Sequence, residues 1–293
     1  MKQLTENLIQ LGNHYSNSFL VGKKEAIIIE CGVTGSVTSL KPQWLQLEGK
    51  PEIKYLAAMH AHFDHVCGIP SLRKMFPRAF VLSGEQAQKS LANPKIVDNF
   101  FYQDDKMSEV MVNRGILEKK PESPKISNIS VDQVISEGDK IELFNGLKLE
   151  ALAAPGHSPC SMAFWMPEDH VMFLSDACGF QISDRDIFPL FFQGYDMYIQ
   201  TIERLRGFPA RILGIPHGEI RLNDEVGTFY QRSLDAAEKA FNDIKKMLDD
   251  GMAEDMMKKE LFSRYYQKDL LIYTPENINL CVEILIKRVK ECL

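Results

Sequence analysis

Residues 60–65, His-Ala-His-Phe-Asp-His, constrain this chain more than any other stretch, because they put four metal-ligating side chains into six residues. Histidine offers an imidazole nitrogen and aspartate a hard oxygen, a mixture suited to zinc, iron or manganese. The preceding run, Ile53 to Met59, is mostly apolar and reads as a buried strand, and Val66 to Met75 carries helical spacing. The motif therefore sits on a strand-to-helix turn, where irregular backbone held by rigid flanks can fan ligands out. In an extended stretch His60 and His62 point to the same side and can grip one ion, leaving Asp64 and His65 free for a second. Any one such residue alone is more often a hydrogen-bonded core side chain. Four packed together without a cation would bury polar groups at heavy cost.

Further ligands follow in order. His157, in Ala154-Pro155-Gly156-His157-Ser158, comes after the strand-like Leu147 to Leu152. Asp176 follows Val171-Met172-Phe173-Leu174, and His217 follows Arg211 to Ile215 within Pro216-His217-Gly218. Each stands at the C-terminal end of an apolar strand, beside small or turn-forming residues.

This succession, HxHxDH, then PGH, then an Asp after a strand, then PHG, resembles the metallo-β-lactamase superfamily over roughly residues 7–220. The resemblance implies an α+β fold, an αββα sandwich with a C-terminal helical extension. It implies a catalytic domain over residues 1–222, with a helical insertion at about 84–114, followed by a helical lid or extension over residues 223–293. It places His60, His62 and His157 on one ion, Asp64, His65 and His217 on another, and Asp176 between them. Two divalent cations are expected, zinc first, with iron and manganese as alternatives. Of the seven histidines, His14 and His170 fit no motif and are expected to be bystanders.

The chain departs from the common pattern in places. Ile27-Ile28-Ile29 leads into Glu30-Cys31-Gly32, where many superfamily members have an Asp-Thr-Gly-like turn. Glu30 is a candidate to orient a ligand histidine through its ring N–H, or else is simply solvated. Cys67, Cys160 and Cys178 lie near the motifs, but the ligand set is complete without sulfur, and a cysteine more often behaves as a small buried hydrophobe.

The 293 residues suffice for a substantial core, and the first ten lack an apolar signal-peptide core. Six dispersed cysteines and no apolar span of membrane length point to a cytoplasmic protein that engages no membrane. A net charge of −6 without a basic stripe argues against nucleic acid as a partner. From Asp224 to Asp250, apolar positions recur at intervals of three and four, Val226, Tyr230, Leu234, Ala237, Phe241, Ile244 and Leu248 among them, predicting a long amphipathic helix that Gly251 ends. A second helix is predicted over Ala253 to Tyr265, and a third from Pro275, capped by Thr274. These helices either merely pack on the domain or shape the substrate pocket, and they also offer a homodimer surface. This arrangement is similar to the quinolone-signal response thioesterases and, more distantly, to glyoxalase II.

Two divalent ions can lower the pKa of a shared water from about 15.7 toward 7, supplying hydroxide without a protein nucleophile. Asp64 and Asp176 are the expected catalytic carboxylates. The expected reaction is hydrolysis of a small-molecule acyl thioester or related carboxylic ester. The aromatic run Phe188, Phe191, Phe192 and Tyr195 is the candidate acyl pocket, with ordinary core as its other reading. Phosphodiester hydrolysis on the same site, and a metal-containing regulatory or binding protein with restricted catalysis, are the alternatives.

Overall fold

The computed structural model describes residues 1–293, the side chain of Asn145 excepted. A seven-stranded sheet runs in chain order through β1 (Lys2–Gln3), β2 (Leu8–Asn13), β3 (Ser16–Val21), β4 (Glu25–Ile29), β5 (Glu52–Ala57), β6 (Phe80–Gly84) and β7 (Gln133–Ile135). A second sheet takes β8 (Lys140–Glu142), β9 (Lys148–Ala153), β10 (Met162–Met166) and β11 (Val171–Phe173). A small separate hairpin follows, β12 (Phe180–Gln181) with β13 (Ile187–Phe188), and then β14 (Ile212–Gly214) and β15 (Arg221–Leu222) return to the second sheet's far edge.

Successive residues of the strands face opposite ways, and both ways are buried. Phe19, Val21, Ile27 and Ile29 meet Leu149, Ala151, Phe164 and Phe173 in the core between the sheets. Their neighbours Leu20, Ala26, Ile28, Leu152, Ala163 and Trp165 belong to the outer core under the helices. A strand covered on both faces reads as a near-continuous apolar run, which is why Ile27-Ile28-Ile29 shows no polar alternation. The result is the αββα sandwich that the motifs implied.

The first sheet is flanked by α1 (Thr34–Gln46), α2 (Phe63–Val66), α3 (Ile69–Met75), α4 (Glu85–Leu91) and α5 (Pro94–Asn113). Asn93 caps α5 by accepting from the Lys95 N–H at 3.0 Å, and Pro94 takes the first turn. After β13 come α6 (Tyr195–Arg206), α7 (Asp224–Asp249), α8 (Glu254–Tyr265) and α9 (Pro275–Glu291). Thr274 caps α9 through a 3.3 Å bond from the Asn277 N–H. A 3-10 turn, Lys268–Ile272, separates α8 from α9 and was not signalled by any periodicity. Among the described residues no helix is long and apolar enough to cross a membrane.

Strand direction positions the site. β10 is antiparallel to both β9 and β11, and β14 is parallel to β11. The C-terminal ends of β9, β11 and β14 therefore share one edge of the second sheet. The end of β5 reaches that same edge, since the Met162 N–H at the start of β10 donates to the Met59 carbonyl at 2.9 Å. Four strand ends from two sheets converge on one place.

Candidate metal centre

All seven candidate ligands meet at that edge, in two groups. His60, His62, His157 and Asp176 form one, and Asp64, His65 and His217 the other. These groups fit a dinuclear site. In the first, His60 Nε2 lies 3.1 Å from His62 Nδ1, which lies 2.9 Å from His157 Nε2, and the two Nε2 atoms are 3.3 Å apart. In the second, His217 Nε2 lies 3.4 Å from His65 Nε2, and Asp64 Oδ2 is 3.5 Å from His217 Nε2 and 3.6 Å from His65 Nε2. Asp176 Oδ2 sits 3.4 Å from His157 Nε2 and 3.3 Å from His65 Nε2, so one carboxylate oxygen faces both groups.

The outward ring nitrogens decide what the inward ones can do. His157 Nδ1 contacts the Leu190 carbonyl at 3.1 Å and His217 Nδ1 the Tyr15 carbonyl at 2.7 Å. A carbonyl only accepts, so each Nδ1 carries the proton, and in the neutral ring Nε2 is a bare lone pair. His65 Nδ1 donates in the same way to Glu30 Oε2 at 2.6 Å, and His60 Nδ1 pairs with Ser175 Oγ at 3.1 Å. In the first group, lone pairs crowded this closely need something positive between them; in the second, Asp64 and Asp176 bring negative charge to the same place. Ligands about 2.0–2.1 Å from a tetrahedral zinc stand about 3.3–3.4 Å from one another, close to the spacings here. Asp176 Oδ1 is buried without a hydrogen-bond partner, a further mark of a cation-shaped centre.

Burial and neighbouring charge set the electrostatics. Burial, then the adjacent histidines, push His60 well below the usual histidine pKa; burial also takes His62 down to about 3 and lowers His157. Burial opposes charge on His65 as well, but Glu30, Asp176 and Asp64 outweigh it and raise its pKa well above the ordinary value. His217 is raised too, by Asp64 and Asp176 against burial. Both aspartates are held below the carboxylate range, because the surrounding histidines overcome the desolvation that favours the neutral acid.

The backbone is bent to make this possible. Glu30 and Ser175, which partner His65 and His60, have φ of 67° and 48°, a left-handed conformation costing on the order of 1–3 kcal/mol for a non-glycine residue. Gly156, next to His157, has φ of 121°, and a Cβ there would lie 2.4 Å from the Tyr198 Cα. Glycine is required at that turn. Asn17 ties the His217 loop to the β2–β3 hairpin, its Nδ2 donating to the Ile215 and Gly218 carbonyls at 2.9 Å each.

His14 pairs with Asp269 at 2.7 Å and His170 with the Pro209 carbonyl at 3.2 Å, neither reaching the centre. All six cysteines are free, with Cys31, Cys67, Cys160 and Cys178 buried. A cavity of about 210 Å³ opens over the ligands, and Phe188, Leu190 and Phe192 line it while Phe191 and Tyr195 do not. Those two are a correction to the expected pocket. Adjacent residues in this turn point oppositely, so Phe192 comes within 5.3 Å of the His157 ring while Phe191 packs on Tyr195 and Tyr198. Tyr195, at the start of α6, stacks 4.3 Å from Phe241 of α7. The far wall comes from the C-terminal helices and the turn before them, including Leu270, Ile278, Cys281 and Ile284. It also contains a residue that no motif singled out: Tyr273, whose hydroxyl donates to Asp64 Oδ2 at 2.6 Å.

Comparison with known proteins agrees with this architecture. Residues 11–217 match the profile of the metallo-beta-lactamase superfamily. An uncharacterized protein of Bacillus subtilis (strain 168), YobT, is 28% identical over 162 residues, 55% of this chain and 61% of YobT. Among solved structures, a subclass B3 metallo-beta-lactamase of Bradyrhizobium japonicum superposes with TM-score 0.59 at 21% identity, covering 85% of this chain and 94% of that one. An archaeal superfamily protein from Sulfolobus tokodaii gives 0.58 at 18% identity, over 81% of this chain and 87% of that one. A sec-alkylsulfatase from Pseudomonas sp. gives 0.66 at 13% identity, over 98% of this chain but 49% of its own. Identities this low establish a shared fold.

Proposed function

The chain belongs to the metallo-beta-lactamase superfamily, and from that premise we propose that it is a dinuclear metal-dependent hydrolase of acyl thioesters or related carboxylic esters. One observation carries this reading: two ligand groups share the Asp176 carboxylate beneath a cavity whose lining includes the apolar Phe188, Leu190, Phe192 and Ile278. His60, His62, His157 and Asp176 would hold one divalent cation, and Asp64, His65 and His217 with Asp176 the other, zinc being the first candidate. Such ions supply Lewis acidity toward a carbonyl oxygen and acidify water at neutral pH.

The protein's own groups do the rest. The depressed pKa of Asp64 keeps it ionised, able to orient an attacking water by accepting its hydrogen bond. Asp176 stays ionised too and spans the two groups. Phe188 and Phe192 hold an acyl chain against the centre and exclude water from it. The proposed thioester preference rests on that apolar wall and on the net charge of −6, which disfavours polyanionic substrates. Matched acyl-thioester, carboxylic ester and phosphodiester substrates at equal metal loading test it. Thioester kcat/KM should exceed that for the phosphodiester by about tenfold or more, about 1.4 kcal/mol of transition-state stabilisation. Preferred cleavage of bis-aryl phosphodiesters or RNA would overturn the assignment.

A further inference from the structure

The four histidines with an outward nitrogen each have a fixed partner on it: Ser175, Glu30, and the Leu190 and Tyr15 carbonyls. All four partners lie before residue 223. Asp64 has a partner as well, but from beyond that point, across 209 positions of sequence: the Tyr273 hydroxyl. We infer that Tyr273 is a positioning residue for the second half of the metal centre, reaching from the C-terminal helices to fix the Asp64 carboxylate between His65 and His217.

Everything around Tyr273 holds its ring in one place. Phe63 and Phe180 meet it nearly edge-on, at centroid distances of 6.1 Å and 5.6 Å and interplanar angles of 88° and 76°. Its carbonyl accepts from the Tyr266 hydroxyl at 2.9 Å, and its N–H donates to the Leu270 carbonyl at 3.2 Å. The next residue, Thr274, caps α9, so the ring stands at the fixed start of a long helix. That helix is anchored in turn by Arg288, whose Nε donates to the Phe192 carbonyl at 2.6 Å on the other side of the cavity. A phenol keeps its proton at neutral pH, and its oxygen lies 2.6 Å from Asp64 Oδ2, so it stands as a donor to that carboxylate. A carboxylate with freely rotating χ angles has several ways to lie in a roomy cavity. A buried, oriented donor selects one, and such outer partners typically account for 10–100-fold in metal affinity. The C-terminal extension thereby belongs to the centre and not only to its cover.

The inference rests on the two-ion reading, and its test separates the two. Zinc is titrated by calorimetry into chelator-treated full-length chain, its Tyr273→Phe variant and its Ser175→Ala variant. Tyr273→Phe removes one oxygen and keeps the ring packing, so near-UV circular dichroism and thermal midpoint serve as its controls for folding. The first ion should bind Tyr273→Phe within about twofold of wild type, and the second about 10–100-fold more weakly. Ser175→Ala, which frees His60, should show the reverse, weakening the first ion. Unchanged affinity for the second ion in Tyr273→Phe would overturn the inference and reduce Tyr273 to filler, as would equal weakening of both ions. A wild-type chain that saturates at one ion would overturn the dinuclear reading beneath it.

Discussion

The two halves of the centre are built from similar side chains but braced differently. His60, His62 and His157 hang on the ends of β5 and β9, and their outer contacts, Ser175 and the Leu190 carbonyl, lie within the same cluster of loops. Asp64, His65 and His217 depend on contacts from distant elements: Glu30 after β4, the Tyr15 carbonyl in the β2–β3 hairpin, and Tyr273 before α9. The two differ in charge as well. Burial drives the first half's histidines toward the neutral form, while carboxylates raise His65 and His217 against burial. Similar ligand chemistry therefore need not mean similar affinity. The first half should bind its ion largely by itself, and the second should respond to changes far from it.

Removing a distant brace is the strongest way to break this contrast. Glu30→Gln keeps the shape but takes away the charge that orients His65 and raises its pKa. Zinc titration should show the second ion weakened by about 10–100-fold and the first nearly unaffected. Equal weakening of both would mean that the halves are one unit.

A smaller effect comes from the scaffold beneath Glu30. The turn after it runs to Thr34, whose N–H donates to Asp104 of α5 at 2.8 Å and whose hydroxyl donates to the Cys67 carbonyl at 3.2 Å, two residues beyond His65. Burial pushes the Asp104 carboxyl up to about 6, against the bonds from Thr34. A carboxyl with a raised folded pKa contributes stability at low pH that is lost as pH climbs toward 6. Between pH 5 and pH 7 the wild type should lose on the order of 1 kcal/mol relative to Asp104→Asn, measured by denaturant unfolding of the two proteins in parallel. Parallel stability curves would show that Asp104 ionises as freely in the fold as out of it.

How much of this was legible in the sequence follows from the same contrast. The ligands were, because each is a polar residue standing just after an apolar strand, and strand order then brings their ends together. Glu30 was legible as one of two options, since its place after Ile27-Ile28-Ile29 marks a strand end. The Tyr15 and Leu190 carbonyls left no trace, because a backbone acceptor has no residue-type signature. Tyr273 left none either: a lone tyrosine ahead of a helix cap looks like any other until the chain folds back over the centre. Phe191 and Phe192 show a different limit. Both are apolar, and only the local turn decides that Phe192 faces the ligands while Phe191 turns to α6. Composition named the aromatic cluster, but geometry divided it.

If Asp176 joins two ion sites, metal stoichiometry reads it out without any substrate. Elemental analysis of full-length protein purified without chelator and saturated with zinc should give close to two ions per chain. Asp176→Ala, which removes the oxygen facing both groups, should give none or a single loosely held ion and lose hydrolytic activity with it. An Asp176→Ala protein that retains two ions and full activity would contradict the bridged centre.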